Sequence, residues 1–163
     1  TSESDTTKIS FYEDTYSLYN LYRFAHYYEE AYGKYIWLKS GASLVIEHTE
    51  AMTVIDVNTG SVLKKKKQED TLFYQINREA AKEIARQLRL RNISGIIMID
   101  FINMKDTAQK EKLLSLLDSE CKKDRVHCNV IDMTALNLVE MTRSKVRKPL
   151  HEQIRSCMKN NRS

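Results

Sequence analysis

Short runs of β-branched and aliphatic residues alternate along this chain with longer stretches whose apolar positions recur every three or four residues. Residues 35–39, 43–48 and 51–57 are strand-like, separated by turn residues at Ser40-Gly41 and Thr49-Glu50. Residues 78–90 have the helical period: Ala81, Ile84, Ala85 and Leu88 form one stripe, Asn77 offers an N-cap and Asn92 a stop. Residues 93–101 return to a strand pattern. Asp106 with Gln109 three residues on reads as a capping box that opens a helix to about Cys121. Residues 126–131 and 138–143 predict two further strands. Upstream, Leu18, Leu21, Tyr22 and Ala25 share one face of an aromatic-rich helical segment that Gly33 ends. Strand, helix, strand, helix, strand predicts an α/β layered domain, a mixed sheet flanked by helices. The expected organisation is a disordered polar tail over residues 1–10, a helical segment over 11–34, the main domain over 35–150 and a C-terminal tail over 151–163.

Composition narrows the class without naming it. The 163 residues fit one domain with short tails, and a 42% hydrophobic fraction can furnish a core. Lys and Arg outnumber Asp and Glu by 26 to 22, a net +4 that permits a polyanionic partner without demanding one. No run has transmembrane length and the first residues lack a secretory pattern, so no membrane partner is expected. Cys121, Cys128 and Cys157 form no Cys-x-x-Cys pair, which suits a reducing, cytoplasmic setting.

Two positions carry candidate chemistry. Asp56 ends the run Thr53-Val54-Ile55-Asp56, and Asp100 ends Gly95-Ile96-Ile97-Met98-Ile99-Asp100. An acid leaving a buried strand stands at the rim of a sheet, where ligands of α/β proteins collect. The helix between the two runs allows the strands to be parallel neighbours through one crossover. Two carboxylates side by side suit a hard cation such as Mg²⁺, which keeps waters and binds substrate phosphate. An aspartate after a strand is also an ordinary turn residue. The run Lys64 to Lys67 is a solvated loop or a contact for RNA phosphates. Arg143, Lys145 and Arg147 alternate along an extended stretch, about 7 Å apart, as a cationic face for phosphates or as a charged edge strand.

The longer motifs resemble the catalytic core of the ribonuclease E/G family. They are Trp37-Leu38-Lys39-Ser40-Gly41, the stretch from Ile46 through Asp56-Val57-Asn58-Thr59-Gly60, the helix from Glu79 to Asn92, Gly95 to Met104, and Leu138-Val139-Glu140-Met141-Thr142-Arg143. The match runs in order from Tyr35 to about Leu150. The resemblance implies a subdomain similar to deoxyribonuclease I and Mg²⁺-dependent internal cutting of single-stranded RNA, leaving 5′-phosphate and 3′-hydroxyl ends. It implies Asp56 and Asp100 as metal ligands, with Mn²⁺ as a substitute ion, and Asn58 as the residue that orients Asp56. Lys39, Lys64, Lys65, Arg143, Lys145 and Arg147 are the cations expected to meet the RNA.

Departures from the family pattern qualify these expectations. Asn103 stands where the family usually has another aspartate, and Ala42 where it has a second glycine. The family's zinc link is Cys-Pro-x-Cys; here Cys157-Met158-Lys159-Asn160 offers one thiol, so no structural zinc is expected and self-association through family-type interfaces is weakened. His127 falls where the family offers a basic residue to a 5′-monophosphate pocket. Residues 1–34 are too few for the family's S1 domain and that pocket, which makes the chain a fragment or a reduced paralogue. The alternative function is a non-catalytic RNA-binding or subunit-interaction module.

Overall fold

The computed structural model describes residues 11–60 and 69–160. The chain divides into two units, Thr1–Glu30 and Ala31–Ser163. In the first, a single helical turn, α1 (Leu18–Leu21), precedes α2 (Phe24–Tyr32), which runs on past the division. The predicted continuous helix is broken at Arg23, whose φ of 50° lies in the left-handed region. Tyr19 and Phe24 meet across this break with ring centroids 5.9 Å apart.

The second unit is built on six strands: β1 (Tyr35–Trp37), β2 (Ser43–His48), β3 (Met52–Asn58), β4 (Gly95–Asp100), β5 (Cys128–Met133) and β6 (Leu138–Arg143). Their order across the sheet is β1-β2-β3-β4-β6-β5. Among the described residues only β3 and β4 run parallel; the other neighbours are antiparallel. The mixed sheet predicted from the sequence is therefore present, and its one parallel pair is the pair joined by a helical crossover. That crossover is α3 (Glu69–Leu90). Helix α4 (Thr107–Cys121) follows β4, and α5 (Leu150–Asn160) closes the described chain.

One hydrophobic cluster joins both long helices to one face of the sheet. Ala80, Ala81, Ile84, Ala85 and Leu88 of α3 and Leu113 and Leu117 of α4 are buried with Leu44, Ile46, Ile55, Val57, Ile97, Ile99, Val139 and Met141. Alternation along each strand then turns the other residues to the opposite face. There Tyr35, Trp37, Ile96, Asp100 and Asn58 are exposed, and Val54, Asp56 and Met98 are half-buried. No described helix is long and apolar enough to cross a membrane.

Three local expectations change. Helix α3 begins at Glu69 instead of residue 78, because Leu72, Phe73 and Ile76 continue its apolar stripe towards the N-terminus. Asn77 is thus not a cap. It lies buried inside the helix, where its amide donates to the Ile102 carbonyl (2.7 Å) and its oxygen accepts the Ile102 N–H (3.0 Å). The residues read as a C-terminal tail form α5, which starts just after Pro149 with Glu152 in its first turn, both favourable at a helix start.

Other signals hold. Asn92, at φ 48°, ends α3 while Ile93 N–H bonds back to the Leu88 carbonyl (3.0 Å). Asp106 caps α4 by accepting the Ala108 N–H (2.9 Å), but the reciprocal half of the capping box is missing, since the buried Oε1 of Gln109 has no partner.

Candidate active site

Strand register settles where the acids go. Asp56 and Asp100 are direct partners across the parallel β3–β4 pair, each near the carboxyl end of its strand. Paired residues share a face, and neighbouring strands lie about 4.8 Å apart. Both carboxylates therefore stand side by side on the open face of the sheet. Burial first, and then the negative charge of Asp56, pushes the Asp100 carboxyl above its ordinary range. A carboxyl held above its range by burial and by a second carboxylate marks a place where a cation is favourable.

Asn58 lies two residues beyond Asp56 on the same face and donates its amide to Asp56 Oδ2 at 2.7 Å. One oxygen of Asp56 is thereby occupied and oriented, and Oδ1 is left as a lone-pair donor. The donor set fits a hard divalent ion. Oxygen ligands from two carboxylates match Mg²⁺, which completes its shell with water and phosphate. No cluster of three or more His, Cys, Asp or Glu side chains with metal-holding geometry occurs among the described residues.

The rim around the pair is braced by residues that the motifs include but to which the sequence assigned no role in the site. Glu79 of α3 accepts the backbone N–H of Lys39 (2.7 Å) and of Ser40 (3.2 Å), fixing the turn between β1 and β2. That turn touches the chain leaving β3. A Cβ at Gly60, where φ is +57°, would stand 2.7 Å from the Gly41 carbonyl oxygen, so only glycine fits. Glu79 gave no local signal of this role, which depends on a turn 40 residues away.

The expected RNA-binding cations separate into three groups. Lys39 is exposed on the turn between β1 and β2, at the same end of the sheet as the carboxylates. Lys64 and Lys65 lie outside the described residues. Arg143, Lys145 and Arg147 do not form one cationic face. Strand β6 ends at Arg143, which pairs with Gly95, five residues along β4 from Asp100 and so about 16 Å from it. Arg143 is buried: its Nε donates to Asp124 Oδ2 (2.9 Å), and its Nη1 donates to Asn92 Oδ1 (3.0 Å) and to the Ile93 carbonyl (2.9 Å). Lys145 reaches Glu152 at 3.5 Å. Arg147 is exposed and lines a cleft with Arg89, Lys123 and Arg125 at that far end. The alternation that suggested a phosphate-binding edge points Arg143 to the core face of the sheet. His127 is exposed, and Cys157 falls within α5.

Among the described residues, the one parallel strand pair of this α/β sheet carries opposed carboxylates near its carboxyl end, a candidate site for a divalent cation. Comparison with known proteins makes the class specific. The family model described as "Ribonuclease E/G family" matches residues 1–146. Ribonuclease G of Escherichia coli K12 is 41% identical over 145 residues, covering 89% of this chain and 29% of that protein. Ribonuclease G of Haemophilus influenzae is 42% identical over 143 residues, covering 88% of this chain and 29% of its own length. Ribonuclease E of a Nostoc species is 42% identical over 115 residues, 71% of this chain and 17% of the relative. This chain belongs to the ribonuclease E/G family. It spans less than a third of the length of the relatives it matches.

Proposed function

We propose that this chain carries the catalytic subdomain of a Mg²⁺-dependent endoribonuclease of the cytoplasm, one that cuts single-stranded RNA to leave 5′-phosphate and 3′-hydroxyl ends. The observation that carries the reading is the register pairing of Asp56 with Asp100, with Asn58 bonded to the first. Asp56 Oδ1 and the Asp100 carboxylate are the groups that would hold Mg²⁺, and Mn²⁺ suits the same oxygens. With the ion bound, the chemistry available is charge neutralisation at a phosphate and a more acidic water.

The protein's own residues have separate tasks. Asp56 and Asp100 bring two negative charges to one point. Asn58 keeps Asp56 from turning away, and the Glu79-braced turn holds Lys39 at the rim, where its ammonium is available to an RNA phosphate. Attack of water on phosphorus, with the 3′-oxygen as leaving group, breaks the P–O3′ bond. The phosphate stays on the 5′ end of the downstream fragment and the departing oxygen takes a proton. No ribose 2′-hydroxyl is consumed, which is why the ends are 5′-phosphate and 3′-hydroxyl.

The test is cleavage of an end-labelled single-stranded RNA by the 163-residue chain, with and without Mg²⁺, beside Asp56→Asn and Asp100→Asn. Mg²⁺-dependent internal cuts that both substitutions abolish support the reading. Calorimetric titration with Mg²⁺ supplies a readout independent of turnover. RNA binding by a folded chain that neither cuts nor responds to Mg²⁺ would instead make it a binding module.

A further inference from the structure

We propose that Tyr35 and Trp37 on β1 form a stacking shelf that holds a base of the RNA beside the bond to be cut; the inference rests on the ribonuclease reading above. The placement follows from register. Tyr35 pairs with Val45, Val45 with Asp56, and Asp56 with Asp100, so all four lie in one row across the sheet. Trp37 pairs with Ser43, and Ser43 with Asn58, in the next row. Both rings thus share the open face with the carboxylates, two strand spacings from Asp56 and Asn58, or about 10 Å. That gap is comparable to the reach from a phosphate to the base of its own or the next nucleotide.

The surface between is low. Ser43 is small and buried, and Val45 is half-buried, so nothing tall separates the shelf from the acids. Ile36, between the two rings, is buried in the core cluster, which fixes the strand's facing. Trp37 is 73% exposed and Tyr35 60%. Among the described residues Trp37 makes no ring contact, whereas Tyr35 carries the Lys34 ammonium 5.8 Å from its centroid. An exposed indole and phenol on the substrate face, with a cation at one end, have the composition of a single-strand platform. Every base offers a π-face, so stacking binds without strong sequence preference.

Trp37 is the sole tryptophan of the chain, so its fluorescence reports on this position alone. Titration with a single-stranded oligonucleotide in EDTA, where cutting is prevented, should quench it. A set of RNAs with one abasic nucleotide moved along the sequence should lose that quenching at one position only, within two nucleotides of the bond cut when Mg²⁺ is added. Trp37→Ala should raise KM for RNA on the order of 10- to 100-fold with a smaller change in kcat, and Trp37→Phe should recover most of it. Because the side chain is exposed, thermal unfolding of both variants should match wild type.

Cutting with unchanged KM in Trp37→Ala, and emission unmoved by saturating RNA, would overturn the shelf and leave the ribonuclease reading intact. Quenching without Mg²⁺-dependent cutting would keep the shelf as a binding feature and remove the catalytic reading. Emission that shifts with protein concentration and not with RNA would mean that a second copy covers this face, and would also overturn the shelf.

Discussion

Replacing Arg143 by methionine tests the assignment that most separates the structure from the sequence pattern. The guanidinium is 3% exposed and its partner Asp124 carboxylate 7%, at 2.9 Å. Methionine keeps much of the volume but leaves Asp124 as a buried charge with the Val126 N–H (2.9 Å) and the weak Cys128 thiol (4.0 Å) to solvate it. It also strips donors from Asn92 Oδ1 and the Ile93 carbonyl. Breaking a buried pair from one side costs about 3–5 kcal/mol. Asp124→Leu alone should cost a similar amount, and the double variant clearly less than the sum, with a coupling of about 1–3 kcal/mol. Urea unfolding followed by far-UV circular dichroism, with m-values compared, measures all three. Burial alone would raise the Asp124 pKa; the bonds from Arg143 and Val126 outweigh it and hold the carboxyl below its ordinary value of 3.8. A depressed carboxyl contributes stability above its unfolded pKa and loses it as pH falls through the folded one. The wild type should therefore shed this contribution only below about pH 4. A cost under about 1 kcal/mol, or weaker RNA binding at full stability, would refute the buried-pair reasoning and return Arg143 to a phosphate-facing role.

Three further outcomes are expected. Asp100→Asn should abolish Mg²⁺-dependent cutting while raising stability by a few tenths of a kcal/mol, because like charges in register oppose each other; a clear loss of stability in urea would contradict the paired placement. The rings of His48 and His151 stack at 3.8 Å with planes 12° apart. Burial foremost, then the neighbouring His151 and Arg91, lowers the His48 pKa from 6.5 to about 4. Both rings are neutral in the fold above pH 6.5, so stability falls as pH drops from 6.5 towards 4, by about 1–2 kcal/mol after allowance for half exposure; His48→Gln should flatten that slope in unfolding at stepped pH. Asn77→Ala should cost about 1–3 kcal/mol, since it strands both backbone groups of Ile102, and should weaken Mg²⁺ binding by calorimetry.

Much of the sheet is legible because its strands bury one face and announce it. Residues 43–48 and 138–143 are strands with the predicted bounds, since β-branched and aliphatic residues alternate there with polar ones. The carboxylate pair is legible for the same reason: each acid interrupts an apolar run at or near the carboxyl end of its strand. What the sequence hides is partnership at long range. Asn77 has the chemistry of a cap and is used as a tertiary clamp. Arg143 shares an alternating pattern with Lys145 and Arg147, yet Asp124, 19 residues upstream, claims it. Helix α5 is missed because its apolar positions, Leu150, Ile154, Cys157 and Met158, are set among polar residues in a segment of only 11 residues. The shelf went unread because residues 35–39 read only as a strand, and three residues of strand are too few to show which face their rings take.

The Asn77 clamp has a consequence for how the rim reports to the interior. A side-chain amide there imitates a peptide group and supplies, from the middle of the longest helix, the two bonds that another strand would have given Ile102. The helix therefore acts as a seventh, one-residue strand at the point where β4 stops. Anything that draws Asp100 outward pulls through Phe101 and Ile102 on the centre of α3. Occupancy of the rim should accordingly be audible far from it, as slower amide hydrogen exchange around Asn77, deep in the packed face that no substrate reaches.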